Sequence, residues 1–438
     1  MNRIMKKSLI FLLSLFVLVL LVFFINKQIN YLYGNKKIFL EKAFPKSVSL
    51  IYYFLTENEK TNLKNLNDYN VKFLPNTQTI DLELKKIKVG LLKESDQGYM
   101  ANIKRKRYAF KFSRFKDYLI IASPTQIIYI DMNELESDKT EFKTISHNLP
   151  SDKHEIRDIL VYNDDIFISV GTKLNENCRI LEIRKSKINN FQKLNFETIF
   201  SSPECALNGV EAGRIQIFKD DRGNDYILVT TAADYLIDEN ESDIKPQSNK
   251  SIFGKIIQIN LNDGLHNIFS KGHRNSLGLF VDNEKKIILQ TENGPRGGDE
   301  INLIKKGFNY GWNIASYGTK YKNNESSKYS DYKLSHEKNG FEEPIFSFVP
   351  SIGITQIIKI GKNFSYKWED NYLIGSLNSK HIYRVKFDQS YNKVLFVEKI
   401  FVGERIRDLF YLEDQKKILI AMEESGSIGI IENKNSDN

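Results

Sequence analysis

Cysteine is scarce in this chain: Cys178 and Cys205 are its only two among 438 residues. A disulfide-built scaffold is thereby excluded, and no Cys/His cluster has the spacing of a zinc site. Whether the two thiols pair or simply pack is open from sequence. Clustered charge is also lacking. The net charge is +8, yet the lysines alternate with Asp, Glu and Asn instead of forming a stripe. A solvated basic surface is expected, and no nucleic-acid partner. Small residues are missing where a signal peptidase would cut. Arg3, Lys6 and Lys7 precede an uncharged run from Ser8 to Ile25, close to the roughly 20 residues that span a bilayer. The FFINKQIN that follows offers no cleavage site. Residues 1–27 are therefore expected to form an uncleaved transmembrane anchor, with the basic flank cytoplasmic and the rest exported to the periplasm or extracellular space.

What is present favours strands. Hydrophobic residues make up 41% and charged residues 27%, which suits a folded core, and the 29 Phe and 22 Tyr sit among short β-branched runs. One pattern recurs: an apolar run, a polar turn, a second apolar run. Its copies start at Tyr108, Ile156, Gly213, Ser276, Ile354 and Ile406. Six copies, each followed by further strand candidates such as CRILEIR, IFGKIIQINL and HIYRVKF, fit one four-stranded blade apiece. The expected fold is all-β, a six-bladed β-propeller over residues 101–438 behind the anchor, with 28–100 a linker and mixed α/β segment of no assigned role. Two stacked sandwiches are the alternative. The match of Ile156-Arg157-Asp158 with Ile406-Arg407-Asp408, at opposite ends of the repeat region, speaks against them.

In a propeller the first strand of each blade lines the central channel, so the residues just before it ring one mouth. That ring comprises 153–155, 208–212, His273 to Asn275, Val349 to Ser351 and 403–405, joined by Gly294, Pro295 and Asn378 from the second-strand ends. Arg274, Arg405 and Arg407 are its positive members, and their planar forks suit a carboxylate-rich or quinone-type ligand. The carbonyls of Gly294 and Pro295, with Glu300, offer hard oxygen donors of the kind Ca²⁺ takes. A tight turn closed by a capped Asp fits the same spacing. The long insert after Tyr317 is placed to overhang the mouth.

GHRNSLGL, TENGPRGGDEINLI, NYGWNIASYG, VPSIGIT, SLNSKH and RIRD occur here in an order that resembles the quinoprotein sugar dehydrogenases, the glucose/sorbosone dehydrogenase family that uses pyrroloquinoline quinone. The resemblance is strong over 272–317, weak before Gly213 and absent before residue 100. It implies a six-bladed propeller that oxidises a sugar or related alcohol. By motif, the quinone contacts fall on Arg274, Asn275, Arg405 and Arg407, with Ser351 and Asn378 beside them; the Ca²⁺ site falls on Gly294, Pro295, Glu300 and Tyr310. This chain departs from the family where the chemistry lies. Val210 stands at the place of the family's general base, a His, and Gly209 where an Asp would support it. Asn378 replaces a Lys and Val349 a Trp. A valine takes no proton. Glu211 and His154 are the candidate substitutes, with His273 orienting its own turn. A propeller that has lost catalysis and binds a glycan or protein at the same mouth is the second reading.

Overall fold

The computed structural model describes residues 72–74, 80–98, 104–137, 140–188, 191–206, 210–233, 245–319 and 332–434. The expected membrane anchor lies outside them, and among the described residues no helix is long and apolar enough to cross a membrane.

Six antiparallel sheets make six blades, and each inner strand touches the next around a closed ring. The inner strands are Lys111–Phe115, His154–Tyr162, Ala212–Lys219, Ser276–Asp282, Ile354–Ile360 and Ile406–Leu412, hence blades 1 to 6 in chain order. Each is followed by a second strand that is almost wholly buried, such as Ile287–Glu292 and Asn371–Ser376. The two are joined by a turn containing one left-handed residue: Lys116, Asn163, Gly223, Lys286, Asp370 and Lys416 in blades 1 to 6. A left-handed residue in a tight hairpin matches the twist of the flanking strands.

Blade 6 is closed from the other end of the chain. Leu82–Lys88 pairs antiparallel with Ser427–Asn433 as its outer strand, so the propeller starts well before residue 101 and part of the 28–100 segment is structural. Lys85 and Lys417 both pair with Glu136 and Glu432, which ties that strand to blades 1 and 6. Lys72–Leu74 adds in parallel to the outer strand of blade 5.

Blades are registered by side chains that reach across. The second-strand hydroxyls of Ser169, Thr230 and Thr291 donate to the carbonyls of Gly213, Ser276 and Thr355 on the following blade. Nearer the axis, Asp158 accepts from the Ile215 amide and Asp408 from the Phe112 amide, each at 2.9 Å. Arg214 bridges the two carboxylates across the channel. This buried triad fills the hub below the mouth, and its charges are paired and hydrogen-bonded, as burial requires. Lys111, beside it, donates to the Arg407 carbonyl at 3.2 Å; burial, then Arg214, pushes its amine down to about 7.

Candidate active site

The turn Gly272 to Asn275 is set by a buried histidine. His273 has no solvent exposure, stacks on Tyr310 at 4.8 Å, and spends Nδ1 on Glu292 and Nε2 on Ser270. Burial raises the Glu292 carboxyl, but His273, Gln290 and the Arg274 amide together hold it below the usual carboxylate range. With both ring nitrogens committed, His273 orients the turn. Arg274 then projects over Trp312, 5.3 Å from its ring, and its Nη1 donates to the carbonyls of Asn293 at 2.9 Å and Gly294 at 2.8 Å. Tyr332, from the long insert, packs on the same Trp312 at 5.0 Å.

One of the proposed Ca²⁺ carbonyls, Gly294, is thus shared with a guanidinium. Its turn is closed by Asp299, which accepts from the Gly294 amide and, on its other oxygen, from the amides of Ile352, Gly353 and Ile354 at 2.7 to 3.0 Å. The capped-Asp reading of this spacing is therefore present in full. It also fixes Ser351, which belongs to the loop wrapped on Asp299, and Asn378, whose amide donates to Ile352 and whose side chain is exposed. Pro295 begins the same turn, which packs so closely on Gly318 that a side chain at Gly298 would strike its amide. Glu300 lies behind, buried, with Asn302 and the His336 ring at 3.3 and 3.6 Å; burial and the nearby Glu292 carboxylate push its carboxyl well up. The Tyr310 hydroxyl is committed to the Leu303 carbonyl and the Lys305 amide, so Tyr310 supports the His273 turn and does not turn its oxygen toward Glu300. Among the described residues no group of three or more His, Cys, Asp or Glu could hold a metal.

Arg405 and Arg407 share an anion that sequence reasoning missed. Glu423, fully buried at the end of the second strand of blade 6, accepts from Arg405 Nε at 3.0 Å and from Arg407 Nη2 at 2.7 Å. Burial raises its carboxyl, and the two arginines more than reverse that.

The two candidate bases separate. Glu211 is exposed, and Asn275 Nδ2 donates to it at 3.3 Å, so Glu211 meets the residue that follows Arg274. His154 takes no part in that contact: Nδ1 faces the Pro150 carbonyl and Nε2 meets Arg184, inside a blade 2 network with Glu182. Val210 turns inward and is 2% exposed, packed in the core between blades 2 and 3. Val349 is half-exposed beside Gly297. Cys178 and Cys205 are joined as a disulfide, which staples blade 2 to the segment leading to Val210 and Glu211.

For a quinone the chemistry of the donor set fits. Guanidiniums held by rigid anchors suit acidic groups on a planar ring; the Gly294, Pro295 and Glu300 oxygens are of the kind a hard cation takes, and Gly294 would give up its bond from Arg274 to bind one.

Comparison with known proteins finds relatives by sequence and by fold. Aldose sugar dehydrogenase YliI of Escherichia coli is 30% identical over 167 residues, 37% of this chain and 42% of that protein. Quinoprotein glucose dehydrogenase B of Acinetobacter calcoaceticus is 27% identical over 239 residues, 40% of this chain and 49% of that protein. The chain thus spans less than half the length of these relatives. The pyrroloquinoline-quinone-bound aldose sugar dehydrogenase of Streptomyces coelicolor, at 16% identity, superposes with a TM-score of 0.55 over 81% of this chain and 99% of that one, a likeness of fold. Residues 161–430 match the family described as glucose/sorbosone dehydrogenase, more than half of the chain, and the protein belongs to that family.

Proposed function

We propose that the mouth binds pyrroloquinoline quinone with Ca²⁺ and that the protein oxidises an aldose or related alcohol there, on the outer side of a membrane to which residues 1–27 anchor it. The observation that carries this reading is the contact of Glu211 with Asn275 beside Arg274: a carboxylate stands at the mouth although Val210 has left it. When bound, the quinone would supply the hydride acceptor. Arg274, Asn275, Arg405 and Arg407 would hold it, and the Gly294 and Pro295 carbonyls with Glu300 would hold the ion. Glu211 takes the proton from the substrate hydroxyl as the carbon-bound hydrogen leaves. Asn275 keeps that carboxylate in place, and Trp312 with Tyr332 screens one wall from water. The disulfide supports an oxidising, exported setting.

The test is reconstitution of the full-length protein with Ca²⁺ and the quinone, followed by dye reduction across aldoses and alcohols. Glu211→Gln is expected to keep quinone binding and to lower kcat by about 10² to 10⁴, the usual worth of a general base. An unchanged rate would remove Glu211 from the mechanism. No quinone binding at micromolar concentration would favour the second reading, a propeller that binds a glycan or protein at the same mouth; the burial of Val210 is what keeps that reading in view.

A further inference from the structure

Arg157 belongs to the mouth and has no part in the site described so far. It is the bulged residue at the start of the blade 2 inner strand, where Asp158 pairs with Ser169 and Ile156 with Val170. Arg407 is the bulged residue at the same place in blade 6, where Asp408 pairs with Ala421 and Ile406 with Met422. The two arginines are therefore counterparts, but their surroundings differ. The residue after Met422 is Glu423, which grips Arg407; the residue after Val170 is Gly171, which has no side chain to offer.

What holds Arg157 is local and weak. Its Nη2 meets Glu155, two residues back on the same strand, at 3.0 Å, and that carboxylate is 50% exposed. An ion pair with an exposed partner contributes little. Its Nε is shielded from solvent and has no acceptor among the described residues. The stem is guided by two glycines. A Cβ on Gly213, which has φ +86°, would lie 2.7 Å from the Arg157 Cβ. A Cβ on Gly171 would lie 3.8 Å from Arg157 Nε and 3.3 Å from the Val210 Cβ. Arg157 is thus steered to the Val210–Gly213 turn, which carries Glu211. A guanidinium with spare donors thus lies against the turn that carries the proposed proton acceptor.

We infer that Arg157 is a specificity-determining residue and that the substrate is an acidic sugar, an aldose carrying a carboxylate. The inference rests on the oxidoreductase reading of the same mouth. A sugar carboxylate would accept from the Arg157 fork in competition with Glu155, while the sugar hydroxyl at the reacting carbon faces Glu211. Such a charge-assisted bond adds affinity for the acid over its neutral parent. The reaction itself would be unchanged: Glu211 would take the proton, and a bound quinone would supply the hydride acceptor.

The experiment compares D-glucuronate with D-glucose, and D-galacturonate with D-galactose, on the full-length protein reconstituted with quinone and Ca²⁺. The uronate is expected to show a kcat/KM about tenfold to a hundredfold above its neutral parent, the range of a hydrogen bond to a charged group. Arg157→Gln should collapse that ratio toward one through KM, with Arg157→Lys retaining part of it. Glu155→Gln should lower the uronate KM by removing the competing carboxylate. Equal use of both sugars by the wild type, or a ratio that Arg157→Gln leaves intact, overturns the inference. If no sugar is turned over, calorimetry with glucuronate still decides. Binding that Arg157→Gln abolishes and Glu155→Gln tightens upholds the acidic ligand while removing the oxidoreductase reading. No uronate binding overturns the inference on its own. Should Arg157→Gln fail to fold, as thermal unfolding would show, the Glu155→Gln result carries the decision.

Discussion

The inner strands of blades 2 and 6 carry the same three residues, Ile-Arg-Asp, at or near their start and put them to different use. Both aspartates do one job: Asp158 and Asp408 each accept an inner-strand amide of the next blade and share Arg214 at the hub. The arginines part company because of one position on the second strand. Glu423 makes Arg407, with Arg405, a fixed positive surface around a buried anion; Gly171 leaves Arg157 with a half-exposed partner. A fixed charge suits a cofactor that stays, and a loosely held one suits a ligand that comes and goes. Propeller repeats are thus alike where they build the ring and free to differ where they face the mouth.

The largest break in this comparison is Glu423→Gln. It leaves two neighbouring guanidiniums, both mostly buried, without their anion, and removing one partner of a buried ion pair costs about 3 to 5 kcal/mol. A fall of that size in unfolding free energy is expected in a denaturant titration, with weaker quinone binding. The pH dependence has a definite sign. The folded-state carboxyl of Glu423 lies below its ordinary value, so its contribution is complete above the unfolded carboxyl pKa of about 4.3 and is lost as pH falls through the lower folded value. The gap between wild type and variant should therefore be constant from neutral pH down to about 5 and narrow below about 4.

Gly213→Ala comes next. The added Cβ would sit 2.7 Å from that of Arg157 on a backbone at φ +86°, so strain and collision combine, at roughly 1 to 3 kcal/mol. Thermal unfolding should shift by a few degrees, and the uronate preference should drop with the displaced arginine. Lower stability with an intact preference would mean that Gly213 serves the backbone alone.

These contrasts mark what was legible beforehand. The six inner hairpins were readable because their alternation is local, and three of the six expected starts, Ser276, Ile354 and Ile406, coincide with the first residue of the inner strand. The outer strand of blade 6 was not: Leu82–Lys88 has strand character, but its partner lies more than 300 residues away, and no local pattern reports which sheet a strand joins. At the site, the pairing of Arg405 with Arg407 is suggested by their i, i+2 spacing at a strand start, whereas Glu423 is hidden because it lies one residue past a second strand, where nothing local marks an inward-facing carboxylate. The inward turn of Val210 and the separation of His154 from the mouth depend on side-chain direction, which a bulge changes. The Arg157 signal stood in the sequence as the repeated Ile-Arg-Asp, which argued for a repeat and hid a difference in neighbours.

The smallest effect is the most informative. Gly171→Glu gives blade 2 the carboxylate that blade 6 has at the same position. No left-handed backbone stands in the way, and the one tight contact of the new Cβ is with the Val210 Cβ at 3.3 Å, which a small shift of Val210 relieves. The new carboxylate would start from a Cβ 3.8 Å from Arg157 Nε, close enough to hold the guanidinium from its own blade. The fork would then be occupied before a sugar acid arrives. Because the new pair is partly solvated, its hold should be modest, and the uronate-to-neutral ratio should fall about threefold to tenfold with little change in kcat. A ratio that stays put would mean that the residue after Val170 does not govern what Arg157 can bind, and that the difference between the two blades lies in Glu155 instead.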